Sequence, residues 1–334
     1  YGRVYEALEL WERMGQEGIV PNIVAYNTLL HGLCSNGHLR EAFSVFKQME
    51  GNGCRPNVKT YSCIIDGFAK AGNLVGASDI WNKMITSGCH PNVVAYTSMV
   101  DALCRNSMFD QAYHLIKNMA LENCPPNTVT FNTLIKGLCQ KGRLDWAFRV
   151  FNQMEDYGCY PNATTYNELL DCLFKRDMVE EGVSLIREME ARNIEMNLVS
   201  YNTILHGFCR ATMVEEALQL VGRMMVGGIT PDGITNNIIT FAYCKKGKVK
   251  FAEQLVDRIS SGGKWKPDII THTSLLWGIC KYNSLDEGIM YVQKMLAEEI
   301  YPNFATWNVL VRSLFDNLGH IGPVYVLDRI IGNG

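Results

Sequence analysis

The stretch Ile23 to Asn57, IVAYNTLLHGLCSNGHLREAFSVFKQMEGNGCRPN, is 35 residues long, and the chain repeats its grammar from end to end. Repeats start at Ile23, Val58, Val93, Thr128, Ala163, Leu198, Gly233, Ile269 and Phe304, at a spacing of 35 except for a seventh unit of 36. A period of this length dictates a row of like units, each touching only its neighbours. The frame divides the chain into a partial repeat over 1–22 (a second helix only), eight full repeats over 23–303, and a truncated ninth over 304–334. The chain thus begins and stops in mid-repeat, and we read it as an excerpt of a longer protein, so that any targeting segment is expected to lie outside it. Core faces exposed at the two cut ends are expected to permit artificial end-to-end association.

Each unit reads as a helical hairpin. In the first, Tyr26, Leu29, Leu30, Leu33 and Cys34 recur at helical spacing, then Leu39, Ala42, Phe43, Phe46 and Met49 form a second stripe. Gly18, Gly53, Gly88, Gly158 and Gly228, with Asn123 and Asn193, close the second helices. Proline follows in every repeat boundary but one, where Met196 stands instead. Neither helix buries its stripe alone. The expected fold is therefore all-α, an α-solenoid of stacked hairpins, with a right-handed superhelix assumed. Alanine (Ala42, Ala77, Ala112, Ala147, Ala217, Ala252) and methionine (Met49, Met84, Met119, Met154, Met189, Met224, Met295) columns read as core, as do Trp11, Phe46, Trp81 and Phe151.

Composition excludes several classes. No apolar run reaches the ~18 residues of a membrane span. The twelve cysteines contain no CxxC pair, and most share two places: Cys34, Cys104, Cys139, Cys209, Cys244 and Cys280 at the twelfth, Cys54, Cys89, Cys124 and Cys159 at the thirty-second. They read as small apolar filler in a reducing compartment. No metal site, cofactor, catalytic constellation, small-molecule substrate or membrane association is expected. The net charge of −3 argues against a generally basic nucleic-acid binder.

Function must then lie in polar columns that vary. The fifth place holds Asn27, Ser62, Thr97, Asn132, Asn167, Asn202, Asn237, Thr273 and Asn308. The place after proline holds Asn57, Asn92, Asn127, Asn162, Asn197, Asp232, Asp268 and Asn303. The second column fits helix capping as well as it fits recognition. The fifth place is too far inside the helix to cap, and a polar residue there costs helix propensity in every repeat. A third column, Lys70, Arg105, Lys175, Arg210, Lys245 and Lys281 at the thirteenth place, is broken at Ser35, Gln140 and Asp316. A cation there suits a helix C-terminus, and in a row it forms a positive stripe suited to a single-stranded phosphate backbone.

The motifs VAYNTLLHGLC, VTFNTLIKGLC and VSYNTILHGFC, each followed later by proline and Asn or Asp, resemble the pentatricopeptide repeat family, P class, over the whole chain. The resemblance implies single-stranded RNA binding in a plant mitochondrion or chloroplast, one base per repeat. It implies that the fifth and post-proline places read the base edge, and that the second place sandwiches the base. Those second-place residues are Val24, Lys59, Val94, Val129, Thr164, Val199, Ile234, Ile270 and Ala305, where Lys59 is long enough to reach a phosphate instead. The family's pairing rules give a core target 5′-YAAYYUUA-3′, serving RNA processing, stabilisation, splicing or translation. Three departures are expected to disturb it locally. The extra residue within 262–266 displaces Asp268, Met196 leaves Asn197 unset, and Asn236 and His272 replace the tyrosine before the reading residue. The rival is a protein-binding helical scaffold, disfavoured by the 35-residue period and the recurrent YN and proline-Asn/Asp.

Overall fold

The computed structural model describes residues 2–261 and 265–318. The insertion's Gly262, Gly263 and Lys264, and residues 319–334 of the ninth repeat, lie outside the described residues, as does the side chain of Asp316. Every described regular element is helical. First helices run Ile23–Ser35, Val58–Lys70, Val93–Arg105, Thr128–Gln140, Ala163–Lys175, Leu198–Arg210, Gly233–Lys245, Ile269–Tyr282 and Phe304–Leu318. Second helices run Gly2–Gln16, Leu39–Gly51, Leu74–Thr86, Phe109–Leu121, Leu144–Gln153, Val179–Ala191, Val214–Val226, Val249–Ser261 and Leu285–Ala297.

The chain divides into two compact units, Tyr1–Cys172 and Leu173–Gly334. Within each, a first helix packs on its own second helix and on the first helix of the next repeat. In the first unit one apolar core is continuous from Val4 to Ala102. Met49, Met84, Met119, Met154, Met189, Met224 and Met295 of the methionine column and the alanines of the Ala42 column are buried. Trp11, Phe46, Trp81 and Phe151 meet Tyr26, Tyr61, Tyr96 and Tyr166 of the following repeat edge-on, at centroid distances of 4.9 to 5.7 Å.

All twelve cysteines are free thiols. Burial pushes Cys104, Cys209 and Cys244 up to about 12, so they stay protonated filler. Their role is close packing against the next first helix. A Cβ built on Gly137 would lie 2.6 Å from Cys104 Cβ, and one on Gly207 would lie 2.3 Å from the Phe174 ring. At Gly67, Gly137, Gly207 and Gly278 the glycine of the tenth place is what lets consecutive first helices approach.

Candidate nucleic-acid interface

A first helix turns 100° per residue, so places two, nine and thirteen share one face and place five borders it. The second-place column is exposed throughout, and Val24, Val94, Val129, Val199, Ile234 and Ile270 are 58–67% exposed. Lys59, Thr164 and Ala305 are exposed in the same column. The column is thus a regular line of exposed, mostly β-branched side chains that core packing does not account for.

The post-proline residues are N-caps. Asn57, Asn92, Asn127, Asn162, Asn197, Asp232, Asp268 and Asn303 each accept, through Oδ1, the backbone N–H three residues on. That bond fixes which end of the amide faces inward. A backbone N–H can only donate, so Oδ1 is turned in and Nδ2 is left outward.

The fifth-place side chains reach across to those caps. The Nδ2 of Asn27, Asn132 and Asn202 donates to Asn57, Asn162 and Asp232 at 3.5, 3.3 and 3.2 Å. Asn237 donates to both carboxylate oxygens of Asp268 at 3.1 Å. Ser62, Thr97 and Thr273 behave differently: their hydroxyls donate to the carbonyls of Val58, Val93 and Ile269 at 2.7–2.8 Å. Ser62 Oγ also lies 3.2 Å from Asn92 Oδ1, and the oxygens of Thr97 and Thr273 pair with the hydroxyls of Thr130 and Thr306 at 2.9 and 2.7 Å. Asn167 belongs to the column, and its Oδ1 is buried without a hydrogen-bond partner. Asn308 is exposed.

Sequence reasoning missed a third member. The third place of the next repeat carries a buried hydroxyl, and Thr60, Thr165 and Thr235 each donate to the fifth-place Oδ1 (Asn27, Asn132, Asn202) at 2.7 Å. Thr271 does so to Asn237. The signal was present: every repeat but the first and third, which carry Ala25 and Ala95, has Thr or Ser at the third place, so it follows Thr97 and Thr273 (as Thr130 and Thr306) as well as the fifth-place asparagines.

The expected departures do not occur. Asp268 keeps its bonds to Asn237 and Thr271 despite the insertion, because its register is set by the helix it caps. Asn197 holds φ −99° and ψ 177°, the geometry of Asn92 at −100° and 175°, so the cap, and not the preceding proline, sets it. His272 is buried with Nδ1 2.9 Å from the Tyr291 hydroxyl, and burial holds its imidazole below the usual value. Asp232 and Asp268 lie below the usual carboxylate range. Burial alone would raise them, but bonds from Thr235 with Asn202, and from Thr271 with Asn237, outweigh it.

The cation column is not a uniform stripe. Lys70 and Arg105 are held by Asp66 and Asp101, one turn earlier, at 2.6 and 2.7 Å. Lys245 Nζ sits instead on the last carbonyls of the preceding first helix, Cys209 at 3.1 Å and Arg210 at 2.8 Å, and Arg210 donates to Lys175 O at 3.5 Å. These cations satisfy a neighbour's helix terminus as well as facing solvent. Lys281 lies over the Trp277 ring at 4.8 Å.

Known proteins agree with this architecture. The PPR repeat family matches six overlapping spans, 21–70, 60–105, 91–140, 126–175, 161–210 and 196–245. A second description, PPR repeat, matches 1–19 and 237–263. The Arabidopsis thaliana pentatricopeptide repeat-containing protein At3g48810 is 52% identical over 48 residues, 14% of this chain and 7% of that protein. Maize PPR10, solved in complex with an 18-nt psaJ RNA element, superposes with a TM-score of 0.73 at 21% identity, over 100% of this chain and 53% of its own. This chain therefore spans about half the length of PPR10, and the likeness shows the fold, an α-solenoid. With matches running over 1–19 and 21–263, the chain belongs to the PPR repeat family.

Proposed function

We propose that the chain binds single-stranded RNA, one base per repeat over the eight full repeats starting at Ile23. The observation that carries this is the fixed polarity of the fifth-place and cap pairs. Each cap Asn presents an outward N–H, and each cap Asp keeps carboxylate acceptor capacity. Asn27, Asn132, Asn202 and Asn237 have their oxygens tied to a hydroxyl and keep one N–H to present, whereas Ser62, Thr97 and Thr273, their protons given to main-chain carbonyls, keep acceptor capacity.

Those polarities select bases. Donor with acceptor (Asn202 with Asp232, Asn237 with Asp268) matches a uracil carbonyl and its N3–H. Donor with donor (Asn27 with Asn57, Asn132 with Asn162) matches the O2 and N3 acceptors of cytosine. Acceptor with donor (Ser62 with Asn92, Thr97 with Asn127, Thr273 with Asn303) matches the adenine amino group and N1. Asn167 with Asn197 is assigned to a pyrimidine on residue type, and the target is 5′-YAAYYUUA-3′. Val24, Val94, Val129, Val199, Ile234 and Ile270 would flank the base faces, and the thirteenth-place cations would meet phosphates. The reading is of a passive clamp on an organellar transcript in a plant, a placement supported by the Arabidopsis relative and acting in RNA processing, stabilisation, splicing or translation.

The test is binding of the purified chain to C-A-A-C-C-U-U-A and to a shuffled RNA of equal composition at physiological salt. Tight binding to the first alone supports the code. Equal, salt-sensitive binding to both leaves a basic groove without it, and binding to neither moves the weight to a protein partner.

A further inference from the structure

The ninth place of the first helices shares the face of the candidate interface, and its residue type changes along the chain. It is Asp66 and Asp101 in repeats two and three, but Phe241 and Trp277 in repeats seven and eight, and Arg312 in repeat nine. Phe241 and Trp277 lie 5.5 Å apart between centroids, and Tyr282 stands edge-on to Trp277 at 6.2 Å. Lys281 Nζ is 4.8 Å from the Trp277 centroid. Trp277, Lys281, Asn308 and Arg312 together line a cavity of about 610 Å³. That volume is within the ~300–1,000 Å³ of small-ligand sites. Trp277 is half-buried against the core of Cys244 and Leu275, yet the same place is polar in repeats one to six, so the fold does not demand an aromatic ring there.

Resting on the RNA reading above, we infer that this cavity holds the nucleotide immediately 3′ of the octamer, as an anchor indifferent to base identity. Its base stacks on Trp277, extended by Phe241, and its phosphate lies between Lys281 and Arg312. The chemistry is specific to a nucleotide. A flat ring surface alone would take any apolar group, and two cations alone would take any anion, whereas both in one cavity fit a base joined to a phosphate. Continuity supports the same occupant. Asn308, the ninth fifth-place residue, lines the cavity, so a strand read by repeats one to eight arrives there next. Aromatic stacking tolerates every base because every base has a π-face.

The experiment compares C-A-A-C-C-U-U-A with nonamers ending in each of the four bases, with an abasic ninth residue, and with 2-aminopurine there. In the wild-type chain all four nonamers should bind roughly tenfold tighter than the octamer, the abasic one should lose most of that gain, and 2-aminopurine fluorescence should be quenched. Trp277→Asp, which installs the acid of repeats two and three, should erase gain and quench, and Trp277→Phe should keep most of both. The gain and quench are read in the wild-type chain, so a variant that misfolds does not shield the inference. An abasic nonamer binding as tightly as the others overturns stacking, and a gain confined to pyrimidines overturns it in favour of reading by Asn308. If the octamer binds and no nonamer gains, the anchor alone falls. If no RNA binds, the RNA reading falls and takes the anchor with it.

Discussion

In repeats two and three, Asp66 and Asp101 hold Lys70 and Arg105, Ser62 and Thr97 stand beside Asn caps, and Gly67 at the tenth place meets a small neighbour, Cys34. In repeats six to eight, Phe241 and Trp277 replace the acids, Asn202 and Asn237 face Asp caps, and Gly207 faces a whole Phe174 ring. The two regions share helix lengths, buried methionines and capping. A repeat frame therefore fixes the backbone while leaving each exposed face free to vary, and under the RNA reading proposed above those differences are what would set the sequence bound.

The largest way to break this contrast is at the close contact of repeat six. Gly207→Ala puts a Cβ 2.3 Å from the Phe174 ring, which must move within a packed core. A loss of roughly 2–3 kcal/mol is expected, read as an earlier denaturant midpoint, and Phe174→Leu in the same chain should recover most of it. A midpoint unchanged by Gly207→Ala would show that the contact is soft. The paired acids give the next effect. Asp66→Asn with Asp101→Asn releases two cations, so binding of any single-stranded RNA should tighten, and the salt slope should steepen by about 1.4 at about 0.7 per cation. An unchanged slope would place Lys70 and Arg105 away from phosphate. Repeats seven and eight have no such acid to remove.

The caps sharpen the comparison further. Asp232→Asn replaces an acceptor by a donor, so preference at the sixth base should move from uracil to cytosine by about 1 kcal/mol, checked with RNAs varied only there. Acid should act on these caps alone. A carboxyl depressed in the folded state stabilises above its unfolded value and loses that contribution as pH falls through the folded one. Asp232 and Asp268 lie below their ordinary 3.8, so their caps should hold down to about that pH and loosen beneath it. Hydrogen exchange in the helices starting at Gly233 and Ile269 should rise there, while those starting at Val93 and Thr128, capped by Asn92 and Asn127, stay protected.

The fold was legible in the sequence because one period accounts for every core column, and a buried column repeats its residue type as faithfully as the backbone repeats its turn. The site was legible only in part. The fifth and post-proline columns stood out by their narrow alphabet, yet a column shows residue type and not the direction of a hydrogen bond. That direction comes from the cap N–H and from the third-place hydroxyl of the next repeat, such as Thr60 to Asn27, a contact 33 residues distant in sequence. The ninth place was harder still. Its residues run from Asp66 to Lys136 to Trp277, so nothing marks it as a column until the helix face is seen.

The smallest expected effect concerns the turn between the two helices of a hairpin. Repeats two, four and seven use Gly72, Gly142 and Gly247 there, at φ 70°, 73° and 74°. Repeat six uses Thr212 at φ 63°. A β-branched residue in the left-handed region carries about 1–2 kcal/mol of strain, and glycine would remove it while adding about 0.5–1 kcal/mol of unfolded-state entropy. The net gain from Thr212→Gly is then about 0–1.5 kcal/mol, seen as a rise in Tm of a few degrees at most. The Thr212 hydroxyl donates to the Ala211 carbonyl at 2.6 Å, a local bond the variant loses. A lowered Tm would mean that this bond outweighs the strain, and that repeat six has adapted its turn where repeats two, four and seven kept glycine.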